Sequence, residues 1–206
     1  MQELTGTLTM ERGHPMKNEA RVADRQCSKA FARATLLTAA LVGPAVPLAA
    51  QGTLAADPAD VESVDAIISA LYNVISGPAG QERDWNRFRS LFLPGAHLVP
   101  TVLTPDGSIR YVVWSPEDYV TRAGPQLEEV GFFEAEIGRV AERFGNIAHI
   151  FSTYESRLEE DADPIQRGIN SIQLFWDGNR WWMVNILWDL EREGREIPER
   201  YLSDDS

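Results

Sequence analysis

The chain has 206 residues, with 31 acidic and 19 basic side chains, a net charge of −12 and one cysteine. Its acidic balance repels phosphate backbones and anionic headgroups, which argues against nucleic-acid and membrane-surface partners. A single cysteine excludes an internal disulfide framework, and the length fits one domain plus a further segment.

The further segment is N-terminal. Residues 34–50, ATLLTAALVGPAVPLAA, are apolar and uncharged, follow Lys29 and Arg33, and end on small residues. That is the pattern of a secretory signal peptide; a buried helix is the competing reading. Gly43, Pro44 and Pro47 interrupt the run, and it is shorter than the ~20 residues of a spanning helix. Cleavage is expected after Ala50, with Ala56 as the alternative, giving a periplasmic or secreted protein. The removed part holds four acids, six bases and Cys27, so 27 acids and 13 bases remain, every base an arginine, for a net charge of −14. The expected organisation is an extension and signal over 1–50, a leader over 51–56, a domain over 57–191 and a charged tail over 192–206.

Asp57-Pro58-Ala59-Asp60 opens the first helix. Asp57 suits the N-cap, Pro58 the first helical position and Asp60 the positive end of the dipole. Val61, Val64, Ile68, Leu71 and Ile75 form one apolar stripe, ended by Gly77-Pro78. A short helix follows over 84–92, with Trp85, Phe88, Leu91 and Phe92 on one face. Residues 97–103 and 108–114 read as a hairpin around Thr104-Pro105-Asp106-Gly107. Ser115-Pro116-Glu117-Asp118 starts a third helix. Gly124-Pro125 must kink or break that helix, because proline lacks the donor and clashes with the preceding turn; Gly131 closes it.

Four antiparallel strands then succeed one another. In the first, over 132–144, Phe133, Ala135, Ile137 and Ala141 alternate with Glu134, Glu136 and Glu142, so the acids mark a wet face. The second runs over 146–158. Ile147, His149, Phe151, Thr153, Glu155 and Arg157 take one face, and Ala148, Ile150, Ser152, Tyr154 and Ser156 the other. The acidic loop 159–164 reads as a solvated turn. The third strand, 168–176, and the fourth, 180–190, are joined by Asp177-Gly178-Asn179, which supplies the positive φ of a hairpin turn. In the fourth, Trp182, Val184, Ile186 and Trp188 oppose Trp181, Met183, Asn185, Leu187 and Asp189. Apolar residues on both faces predict a strand covered on both sides. The fold class is α+β: a cone-shaped, strongly curved antiparallel sheet covered by three helices from the N-terminal half. The open end of such a cone is a pocket.

Four stretches carry a family resemblance: DWNRFRSLFLPGAHLV (84–99), SPEDYVTRAGPQLEEVGFFE (115–134), HIFSTYESR (149–157) and GINSIQLFWDGNRWWMVNILWDLE (168–191). With the element order, they resemble the nuclear transport factor 2-like, or SnoaL-like, superfamily in its exported bacterial branch. The resemblance implies a cone-shaped fold over residues 57–191, often with a sheet-to-sheet homodimer. It does not select a function, since that superfamily hosts isomerases, dehydratases, cyclases and non-catalytic binders. The catalytic carboxylate, tyrosine and protonated acid of its ketosteroid isomerases find no residue-by-residue match here.

Candidate chemistry is sparse. His97 and His149 are candidate proton carriers if their strands meet; hydrogen-bonded strand histidines are the alternative. No HxH, HxxxH or cysteine cluster predicts a metal site, and no motif predicts a cofactor. Candidate ligand-binding residues are Trp85, Arg89, Tyr111, Tyr119, His149, Asn170 and Trp188. The expected function is binding of a small, partly apolar molecule in the cone. A cofactor-independent lyase, isomerase or hydrolase using a pocket histidine, or a dimeric interaction module, are the alternatives.

Overall fold

Side-chain caps start most of the described helices. The computed structural model describes residues 54–202 and the backbone of 204–205; the expected signal segment lies outside the described residues. Asp57 accepts from the Ala59 amide and caps α1 (Pro58–Val61). The predicted first helix is broken after one turn. Ser63 caps a new start, accepting from the Ala66 amide, and α2 runs from Val64 to Ile75. Asp84 caps α3 (Trp85–Ser90). The predicted third helix is two helices, α4 (Pro116–Arg122) and α5 (Gly124–Val130), divided before the proline. Ser115 and Asp118 form the reciprocal capping box of α4. None of the described helices is long and apolar enough to cross a membrane.

The strands are β1 (Phe92–Leu103), β2 (Ile109–Tyr111), β3 (Phe133–Phe144), β4 (Ile147–Arg157), β5 (Gln166–Trp176), β6 (Trp181–Leu190) and the short β7 (Asp204–Asp205). They form one sheet in the order β2-β1-β6-β5-β4-β3-β7. The succession β3–β6 is antiparallel, as expected. β1 departs from the expectation: it begins five residues early and runs parallel to β6, pairing Leu98 with Ile186 and Pro100 with Trp188. The sheet is therefore mixed at this edge.

One face is covered by α2, α3 and α4, and the core lies between them. Ile67, Ile68 and Leu71 of α2 and Phe88 of α3 pack with Ile150, Ile172, Leu174, Met183 and Ile186 of the sheet. At ~25 cal/mol per Å² of apolar surface removed from water, this contact carries most of the stabilisation.

Two bulges change which side chains face that core. In β3 the register slips between Glu136 and Gly138, so Glu134, Glu136 and Arg139 all point to the helix side. The predicted wet face is thus the inner face over the first part of the strand. In β6 the slip falls between Met183 and Asn185. Trp181, Met183, Ile186 and Trp188 share the inner side, which corrects the strict alternation expected from the sequence.

The segment after β6 is not a loose tail. It returns over the outer face, where a 3₁₀ turn (Glu199–Tyr201) sets the Tyr201 ring 4.9 Å from Phe151. The Thr153 hydroxyl donates to the Tyr201 carbonyl. The crossing requires Gly138, because a Cβ there would lie 2.6 Å from the same carbonyl.

Candidate functional site

The inner face of β4 presents Ser152, Tyr154 and Ser156 between the apolar ends of the core, all essentially buried. Asn170 of β5 lies beside them, paired across the ladder with Ser152. Buried polar groups must find partners, and these form a directed chain. The Asn170 amide donates to the Tyr72 hydroxyl of α2 at 3.1 Å. Tyr72 lies 2.7 Å from Ser152, and Ser152 donates to Glu136 at 2.5 Å. Since the single Ser152 proton is spent on Glu136, Tyr72 is the donor to Ser152. Arg139 closes the chain by gripping both oxygens of Glu136, at 2.9 and 2.5 Å.

Next to this chain a cavity of about 220 Å³ opens between the sheet and the helices. Leu71 and Ile75 (α2), Phe88 (α3), Tyr119 (α4), Leu127 (α5) and Phe132 line the helix side. Glu134, Tyr154, Asn170, Ile186 and Trp188 line the sheet side. Tyr119 stacks on Phe88 at 5.2 Å, and Trp114 bridges Tyr119 and Trp188 at 6.4 and 6.3 Å. Two glycines make the wall possible. A Cβ on Gly168 would lie 2.6 Å from the Tyr154 hydroxyl, so glycine lets that ring lie across β5. Gly131 has φ +76° and would place a Cβ 2.8 Å from the Leu158 carbonyl; it turns the chain from α5 so that Glu134 enters the cone.

Glu134 is the one carboxyl among the described lining residues of this cavity. It keeps some accessible surface because it faces the hollow, yet it lies deep. Burial pushes its carboxyl up to about 7, against the opposing effect of hydrogen bonds from Ser156, at 2.9 Å, and from Asn170. Burial also raises Tyr119, Tyr154 and Tyr72, with the Glu134 charge adding to each shift. A carboxyl that titrates near neutrality among neutral phenols can accept a ligand's proton, donate one, or pair with a cation.

Of the residues singled out from the sequence, Tyr119, Asn170 and Trp188 meet in this cavity. Trp85 lies behind the wall, its indole donating to Glu128 at 2.8 Å and its ring edge-on to Phe88 at 5.7 Å. Arg89 is tied to Glu117 by two bonds, at 2.6 and 3.0 Å, on the outside of α3. Tyr111 stands 71% exposed on edge strand β2. His149 lies on the outer face, where its Nε2 meets the Ser171 hydroxyl at 3.1 Å. His97 is exposed on β1. The register aligns His97, Asn185, Gln173 and His149 in one row across four strands. At ~4.8 Å per strand, the histidines stand roughly 14 Å apart, so they cannot act as a dyad. Glu134, Tyr154 and Tyr72 were not singled out from the sequence. Ser156 on the inner row of β4 was the available signal, since its ladder partner is Glu134.

No protein-family model matches the chain, and no curated protein matches it. Among solved structures it is similar to an NTF2-like protein of unknown function from Silicibacter pomeroyi, at 14% identity and a TM-score of 0.44, covering 63% of this chain and 94% of that one. A protein with a cystatin-like fold from Nostoc punctiforme matches at 11% identity and 0.47, covering 62% and 88%. Another from Caulobacter vibrioides matches at 11% and 0.47, covering 65% and 90%. These likenesses carry no function across. The element order, the curved sheet and the cone closed by helices make this an α+β domain of nuclear transport factor 2-like fold.

Proposed function

We propose that this is an exported protein that holds a small, partly apolar molecule in its cone. The observation that carries the reading is the cavity, walled by Leu71, Ile75, Phe88, Phe132 and Ile186, with Glu134, Asn170, Tyr119 and Tyr154 converging on it. Few, fixed polar groups in an apolar concavity are the usual chemistry of a ligand site. Native mass spectrometry of the purified protein tests it. A retained small molecule is expected, and it should be absent from Leu127→Trp, which fills the cone. Retention unchanged in that variant would refute the reading. Export is supported by the sequence pattern of residues 34–50. N-terminal sequencing of the protein recovered outside the cytoplasm should begin at Gln51.

A second reading, proton-transfer catalysis without a cofactor, is favoured by the position of Glu134, whose carboxyl titrates near 7 in contact with the cavity. The base is then Glu134 and not a histidine, since both histidines lie away from the cone. Turnover of the retained compound should follow the ionisation of Glu134 and disappear in Glu134→Gln; activity surviving that change would sink the idea. A homodimer through the sheet remains the expectation for assembly. Exposed Leu187, on the outer face, supports it. Sedimentation of the purified protein decides it.

A further inference from the structure

The wall of the cone has an unbalanced chemistry. Phe88, Tyr119, Phe132, Tyr154 and Trp188 make it aromatic, and Glu134 is its carboxylate. None of the described lining residues carries a positive charge. The groups facing Glu134 are Tyr72 from α2, Tyr119 from α4, Tyr154 and Ser156 from β4, and Asn170 from β5, all uncharged. Farther along β3, Glu136 is held by Arg139, which also reaches Asp65. Arg83 lies behind the wall, spent on the carbonyls of Ile75 and Leu127 with Glu128 beside it, and Arg89, expected at the pocket from the sequence, is engaged by Glu117.

An ionised Glu134 therefore has hydrogen bonds and no counter-charge. A carboxylate desolvated in that way is costly. A ligand that brings the missing positive charge removes the cost. The surrounding rings favour the same charge, because aromatic faces attract cations, most strongly when water is excluded. An anionic ligand would meet the carboxylate. A neutral one would leave the carboxyl to be neutralised by a proton alone.

We infer that the cone selects a small organic ammonium compound, quaternary or a protonated amine, with its nitrogen beside Glu134 and its apolar body against the aromatic wall. This rests on the reading of the cone as a ligand site and adds the charge of the ligand. It also fixes a proton linkage. The bound cation requires the ionised carboxyl, so binding near neutral pH expels the proton that the free protein holds there.

Calorimetric titration of the purified protein tests the assignment. The probes are choline and the uncharged alcohol in which carbon replaces its nitrogen. At about pH 8.5 choline should bind about tenfold or more tightly than the alcohol. At about pH 5.5, where Glu134 is protonated, that preference should shrink to about twofold or less. Glu134→Gln should abolish the preference while the alcohol still binds, and Trp188→Leu should weaken choline more than the alcohol. Equal or tighter binding of the alcohol would overturn the ammonium assignment and leave the cone as a ligand site. Failure of both probes would also overturn it, and the retained mass then decides separately whether the cone holds a ligand.

Discussion

Glu134 sets the behaviour of the cone because its environment disfavours its charge. Its carboxyl is raised from the ordinary value of 4.5 to about 7, chiefly by burial. In the unfolded chain it titrates at the ordinary value, so between the two the folded state holds the extra proton. Stability contributed by this group is full below the unfolded value and is lost as pH rises towards about 7. Removing the charge should remove that loss. Glu134→Gln is expected to exceed the parent in stability by on the order of 2 kcal/mol at about pH 8, with little difference at about pH 4. Urea unfolding at the two pH values checks it; equal stabilities at the higher pH would contradict it. At this scale the sequence was half legible. Tyr119, Asn170 and Trp188 were among the residues singled out, and they line the cavity. Glu134 was not, because alternation tells which residues share a face and not which face is inside. Three acids in alternate positions look solvated; Glu142 is exposed, but Glu136 is neutralised by Arg139 and Glu134 is buried with its carboxyl raised to about 7.

Elements hold the wall in place through contacts that act at a distance. Arg83 is the main one. Its guanidinium donates to the carbonyls of Ile75 at 3.1 Å, Gly77 at 2.5 Å, Gln81 at 2.6 Å and Leu127 at 3.2 Å. It thereby ties the end of α2 to α5, both on the helix side of the cone. Arg83→Ala leaves those carbonyls without their donor and should cost about 3 kcal/mol, read as a lower urea midpoint. A loss below about 1 kcal/mol would show that water replaces it. Gly168→Ala should push Tyr154 from its place across β5, at a cost of about 1–3 kcal/mol. Loss of the retained ligand in that variant is expected; unchanged retention would mean that Tyr154 does not shape the site. Two helix starts were readable because caps are local: Asp57 and Ser115 cap as their chemistry predicts, whereas the caps at Ser63 and Asp84 were not read. The bulges in β3 and β6 were not readable, since one extra residue leaves no compositional mark yet exchanges the faces beyond it. The parallel pairing of β1 with β6 joins segments some 90 residues apart, and no local pattern encodes such a contact.

The whole molecule uses both faces of its sheet differently. Helices close the inner face around the cone, and the C-terminal segment straps the outer face over β3 and β4. The sequence marked this segment only as a charged tail; Tyr201 is the anchor that composition could not show. Ending the chain after Glu191 should uncover Phe151, lower the melting temperature by several degrees and promote self-association. Light scattering with thermal unfolding checks this, and a truncated chain of unchanged melting temperature would deny the strap any structural weight. At this scale the cone is a water-poor pocket organised around one carboxyl. The most direct test is a carbon NMR titration of the Glu134 side chain in the otherwise intact protein. A midpoint near 7, falling when an ammonium compound is bound, is the predicted result. A midpoint in the ordinary carboxylate range of about 4.3 would mean that Glu134 is solvated, and would contradict the account.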